Sequence, residues 1–95
     1  MRGRILAVDP GEKRIGIAIS DPSAMFAAPL TVIQHVKMIE DCQQIIKIAI
    51  DNEVVLIIVG QATGQEGEET RQMRHAKKLV ETLKSMSTIP VERWD

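Results

Sequence analysis

Hydrophobic and polar positions change period several times along this chain, and each change marks an element. Arg4-Ile5-Leu6-Ala7-Val8-Asp9 is a short aliphatic run stopped by Pro10-Gly11. Both of its faces are apolar, as in the central strand of a sheet. Lys13 to Ser20 (KRIGIAIS) alternates, with Ile15, Ile17 and Ile19 on one side and Gly16, Ala18 and Ser20 on the other. The short turn between these runs predicts a β-hairpin, with Gly11 taking a positive φ so that the chain can reverse. Pro29 to Gln34 (PLTVIQ) predicts a third strand, at a sheet edge because a proline opens it.

The period then changes to that of a helix. Val36, Ile39, Cys42, Ile45, Ile46, Ala49 and Ile50 fall on one stripe of a helix over Val36 to Asn52. Val54 to Gly60 (VVLIIVG) is β-branched and uninterrupted, as a buried parallel strand would be. Gln61 to Gly67 is a glycine-rich loop. Met73, Ala76, Leu79, Val80, Leu83 and Met86 form a second helical stripe within Glu68 to Met86, and Ile89 to Asp95 (IPVERWD) predicts a last strand. The order β-β-β-α-β-α-β places the chain in the α/β class. It predicts a mixed sheet with helices on its faces and right-handed crossovers through them.

Length and composition narrow the picture. Ninety-five residues make one small domain, and 44% hydrophobic with 26% charged residues is ordinary for a soluble globular chain. The run Val54 to Val59 is far shorter than the ~20 residues a membrane span needs. The opening MRGRILAVDPG does not read as a signal peptide, and the single cysteine, Cys42, excludes an internal disulfide, so the expected location is the cytoplasm. Twelve basic residues against 13 acidic ones exclude a strongly basic nucleic-acid coat. Phe26 and Trp94 are the only large aromatics, which disfavours a binder that stacks successive bases. Contact with nucleic acid would need a local basic patch or metal ions.

Asp9 is the sharpest chemical feature. It ends a buried apolar strand, at the rim where open α/β sheets bind ligands. A carboxylate there suits Mg²⁺, which takes hard oxygen ligands and keeps several waters. The competing reading is a plain Asp-Pro-Gly turn. Arg14 could neutralise a phosphate with bidentate geometry, or simply stand in solvent at a strand end. Gly16 leaves room for close approach over the sheet. The loop from Gly60 to Gly67 is a weak anion site and lacks the Gly-Lys-Ser/Thr of a P-loop. Arg71, Arg74 and Lys78 lie opposite the apolar stripe of the second helix and read first as a solvated face. Cys42 reads as a small core residue, and His35 and His75 have no metal-ligand spacing. If the first and last strands end at one rim, Asp9 and Asp95 approach each other, and two carboxylates can begin a two-metal site.

Ile5 to Asp21 (ILAVDPGEKRIGIAISD) resembles the opening motif of the YqgF/RuvX family, described as Holliday-junction-resolvase-like proteins and as pre-16S rRNA nucleases. VVLIIVG, the glycine-rich loop and PVERWD are similar to that family's later blocks in order and spacing. The resemblance covers nearly the whole chain and implies a ribonuclease-H-like fold. Carried over by position, Asp9 matches the first-strand catalytic carboxylate and metal ligand, Arg14 the arginine of that motif, and Asp95 the aspartate that opens an Asp-Glu-Arg block. Lys13, Arg14, Arg71 and Arg74 are the candidates for nucleic-acid contact. Where the family tends to have Gly-Leu-Pro, this chain has Gly60-Gln61-Ala62. The resemblance also implies a glutamate after Asp95 and a downstream helix with a further aspartate, so the 95 residues correspond to a single domain incomplete at its C-terminus.

What the resemblance implies is a nuclease that hydrolyses phosphodiester bonds with Mg²⁺ or Mn²⁺. Its substrate would be RNA (a 16S rRNA precursor, in ribosome biogenesis) or branched DNA. With so few carboxylates, this chain is expected to bind metal poorly and to have weak or no activity. Two rivals stand beside that reading. One is a non-catalytic RNA- or protein-binding module of the same fold. The other is a nucleotide-phosphate binder, since Asp-x-Gly hairpins also occur in the actin-like sugar-kinase fold. Without the downstream helix one sheet face is left exposed, so a homodimer or higher oligomer is expected.

Overall fold

A computed structural model describes residues 3–11, 13–23, 26–60 and 71–94. The elements run β1 (Arg4–Pro10), β2 (Arg14–Ser20), β3 (Ala27–Gln34), α1 (Met38–Asp51), β4 (Val54–Gly60), α2 (Arg71–Met86) and β5 (Val91–Trp94). This is the order read from the periodicity. The strands form one five-stranded sheet in the order β3-β2-β1-β4-β5, so β1 is central and β3 is an edge, as expected. β1 pairs antiparallel with β2 and parallel with β4, and β4 pairs parallel with β5. The sheet is therefore mixed.

The helices depart from expectation in one respect: both lie on the same face of the sheet. Leu6 and Val8 of β1, Ile15 and Ile17 of β2 and Ile57 and Val59 of β4 share one core with Ile45 of α1 and Leu79 and Leu83 of α2. Leu6, Ile15, Ile45, Ile57, Leu79 and Leu83 are fully buried, each contributing about 1.5–3 kcal/mol of hydrophobic stabilisation. Alternation sends Ile5, Ala7 and Asp9 to the opposite face, where Ala7 and Asp9 are exposed. No helix among the described residues packs there. The apolar character of both faces of β1 thus marks a central strand, but only one face is covered.

Element ends also shift, for identifiable reasons. α1 starts at Met38 rather than Val36, because Asp41 reaches back and its Oδ1 accepts a hydrogen bond from the Val36 N–H at 3.0 Å. Lys37, the N-cap, makes no side-chain capping bond of its own. The predicted single stripe of α1 is wider than the face it buries: Cys42, Ile45 and Ala49 are buried, whereas Val36, Ile39 and Ile50 are exposed. β5 begins at Val91, after Pro90, whose carbonyl accepts the Ile57 N–H. Gly11 is required by close approach and not by a positive φ. It is absent from the positive-φ glycines, but its N–H donates to the Arg14 carbonyl at 2.9 Å, and a Cβ there would lie 2.3 Å from that oxygen. The predicted loop from Gln61 to Gly67 and the first turn expected for the second helix lie outside the described residues.

Candidate functional site

The uncovered sheet face holds the candidate site. Asp9 pairs with Gly16, Gly16 with Val32, and Gly60 with Trp94. Val8 pairs with Val59, which brings Gly60 beside Asp9. A single row therefore crosses the sheet: Val32, Gly16, Asp9, Gly60, Trp94. The aspartate stands between two glycines, so its carboxylate has no neighbouring side chain on either adjacent strand in that row. A shallow, mostly apolar hollow of about 470 Å³ covers this row, with Ala18 and Ile58 in its floor.

Alternation along β2 puts Arg14 on the same face as Gly16, two residues nearer the rim. Arg14 is exposed and sits diagonally from Asp9, within reach of a common ligand. Lys13 is exposed at the hairpin end of the same strand. β1, β3, β4 and β5 all end at this rim, and α2 follows the end of β4. Arg71 and Arg74 stand exposed at the start of α2, near the same rim but in the helix layer and not on the open face. Asp95 lies outside the described residues, as does the glycine-rich loop beyond Gly60.

Among the described residues, no group of three or more His, Cys, Asp or Glu side chains could hold a metal ion. Asp9 offers a hard carboxylate donor with room around it, and Glu92 of β5, paired with Ile58 one row back and exposed, is the other carboxylate that the described strands place on this face. The Asp9 donor fits a hydrated Mg²⁺ or Mn²⁺, which is typically held by one or two carboxylates plus substrate phosphates. It does not by itself form a two-metal cage.

A second polar cluster escaped the sequence reading. Asp41, 1% exposed, accepts from the Val36 N–H through Oδ1 and from His35 Nδ1 through Oδ2. The His35 ring meets that of His75 edge to face, with centroids 5.6 Å apart and planes at 82°. His75 Nε2 is buried without a hydrogen-bond partner among the described residues. An aspartate in the first turn of a helix normally reads as a surface partner of the helix dipole, and nothing in the spacing of His35 and His75 signals their meeting across two elements. Cys42 is fully buried, as expected. Burial, then the Asp41 charge, pushes its thiol up to about 11.

No helix among the described residues is long and apolar enough to cross a membrane. The chain is 35% identical over 94% of its length to a "Putative pre-16S rRNA nuclease" of Roseiflexus sp. (strain RS-1), covering 63% of that protein. It is 38% identical over 99% of its length to a protein of the same name from Corynebacterium jeikeium (strain K411), covering 61% of it. The chain thus spans about three-fifths of the length of these relatives. Its fold matches RuvC of T. thermophilus, solved in complex with a Holliday junction substrate, with a TM-score of 0.64 at 15% identity, covering 96% of this chain and 65% of that one. This is the α/β mixed-sheet fold expected from the element order, and the ribonuclease-H-like fold that the family resemblance implied. The family model described as RuvX, Holliday junction resolvase, matches residues 3–95, and the chain belongs to that family.

Proposed function

We propose that this chain carries the first-strand aspartate of a metal-dependent nuclease that hydrolyses phosphodiester bonds in precursor 16S rRNA. The observation that supports this reading is the placement of Asp9: a carboxylate on an open sheet face, cleared on both sides by Gly16 and Gly60 and diagonal to Arg14. The relatives' names favour RNA; branched DNA, suggested by the family description, is the alternative substrate.

Asp9 would hold the divalent ion, Mg²⁺ or Mn²⁺, with Asp95 as a second candidate carboxylate. When bound, such an ion lowers the pKa of water and neutralises charge on the phosphate. Arg14 would hold the non-bridging phosphate oxygens through its planar fork of donors. Lys13, Arg71 and Arg74 would draw the polyanion to the rim. Attack in line with the departing 3′-oxygen leaves a 5′-phosphate and a 3′-hydroxyl. With no group of three metal-binding side chains among the described residues, the reading carries weak metal binding and slow turnover by the 95-residue chain, and fuller activity in a protein of its relatives' length.

The test combines Mn²⁺ titration of the 95-residue chain with cleavage assays at the relatives' full length. End-labelled precursor rRNA and four-way DNA junctions serve as substrates. Asp9→Asn should remove Mn²⁺ binding and reduce cleavage by about 100-fold or more. Unchanged metal-dependent cleavage would exclude Asp9 from the mechanism. RNA binding without cleavage, insensitive to Asp9→Asn, would leave the non-catalytic module as the correct reading.

A further inference from the structure

Trp94 is the one aromatic side chain carried by the described strands, and it stands 60% exposed on the open sheet face. An indole left in water forgoes the burial that so large a side chain normally gains. It shares a row with Asp9, and the position between them is Gly60. Among the described residues, nothing requires glycine there. Its φ is not positive, and a Cβ would meet only the Val8 carbonyl oxygen, at 3.7 Å. The bare backbone at Gly60 is open floor between a carboxylate and an indole. We propose that this floor is a nucleobase subsite, in which an unpaired base of the RNA strand stacks on Trp94 while the adjoining phosphate lies at the Asp9–Arg14 end of the row. The position of the phosphate rests on the nuclease reading above; the subsite adds that the substrate is single-stranded at this point.

The spacing suits one nucleotide. Asp9 and Trp94 are two strands apart, about 10 Å between backbones, a gap that one nucleotide spans from phosphate to base. The hollow between them, about 470 Å³, has room for a planar base. Ala7 pairs with both Ala18 and Ile58, and these three form the row behind Asp9 and the floor of the hollow. Their apolar surface suits the face of a base and not a phosphate. Glu92 pairs with Ile58 at the end of that row and is exposed. Its charge repels phosphate, so the sugar–phosphate backbone keeps to the rim, where Lys13 and Arg14 stand.

RNA-binding sheets stack unpaired bases on aromatic side chains of their open faces. One indole holds one base, in keeping with a chain that has too few aromatics to stack several in succession. A base inside a duplex has both faces covered by its neighbours, so only an unpaired nucleotide reaches Trp94.

The chain has one tryptophan, so its indole resonances report this subsite alone. NMR titration of the 95-residue chain in Mg²⁺ with a short single-stranded oligoribonucleotide, up to about 1 mM, reads the contact directly. The expected result is a saturable upfield shift of the Trp94 ring protons, caused by the ring current of the stacked base. The same strand annealed to its complement should leave them in place. By anisotropy of a labelled strand, Trp94→Ala and Trp94→Leu should each weaken binding at least about fivefold, and Trp94→Phe should stay within about threefold of the parent. Thermal melts of these variants should match the parent, because the side chain is exposed. The shift should persist in Asp9→Asn. Unchanged cleavage by that variant would therefore overturn the nuclease reading alone, and an indole unmoved by the single strand would overturn the base subsite alone. Equal shifts with single strand and duplex, or a Trp94→Leu that binds as the parent does, also overturn the subsite.

Discussion

Asp9 and Gly16 face each other across the β1–β2 ladder, and a Cβ built on Gly16 would lie 3.6 Å from that of Asp9. That is an ordinary van der Waals separation, so the fold has room for a methyl group at position 16. The carboxylate has less room for anything larger. Gly16→Ala should fold normally and bind Mn²⁺ within about threefold of the parent, whereas Gly16→Val should lose roughly tenfold or more in affinity without losing stability. Paired Mn²⁺ titrations and thermal melts check this. Equal affinity in all three proteins would mean that the glycine row does not keep space for a ligand.

The buried Asp41 carboxylate ties the end of β3 to the start of α1 through His35 and the Val36 amide. Removing it leaves a backbone N–H and an imidazole N–H without their acceptor. Asp41→Ala should cost about 3 kcal/mol in urea unfolding, and a double-mutant cycle with His35→Ala should show about 1–2 kcal/mol of coupling. Independent, additive losses would show that the two side chains do not act as a pair.

Burial of Cys42 sets a pH dependence. Its thiol is held neutral in the folded protein up to about 11, against an ordinary value of 9.0. Between those values the unfolded chain has lost the proton that the folded chain retains. Stability therefore falls as pH rises from about 9 to about 11, by on the order of 2 kcal/mol. Below pH 9 this group contributes no slope. Denaturant melts of the parent and Cys42→Ala across pH 8 to 11 should diverge only in the upper part of that range, and the native thiol should react slowly with thiol reagents throughout.

Glu53 follows the end of α1 with a φ of 56°, the left-handed conformation that glycine adopts without a Cβ penalty. Its side chain is exposed. Glu53→Gly should stabilise the fold by about 0.5–1 kcal/mol, read as a higher midpoint in urea at unchanged slope. A lower midpoint would mean that the glutamate makes a compensating interaction.

The sequence by itself determined the kind and order of the elements, because periodicity is a local property. Alternation in KRIGIAIS and the unbroken VVLIIVG allow only a strand with one face or both faces buried, and the stripe through Ala76, Leu79, Val80 and Leu83 allows only a helix that packs on one side. The same local logic put Asp9 at a strand end, and its motif indicated the family. Tertiary structure decided everything that depends on which faces meet. Periodicity does not say that both helices cover one side of the sheet, leaving Asp9 and Trp94 in a row on the other. It does not reveal that Asp41, in a first turn where acids are normally solvated, is buried against His35, or that Ile39 and Ile50 remain outside a core that their stripe seemed to join. Burial is a property of pairs of surfaces, and the partner surface lies far away along the chain.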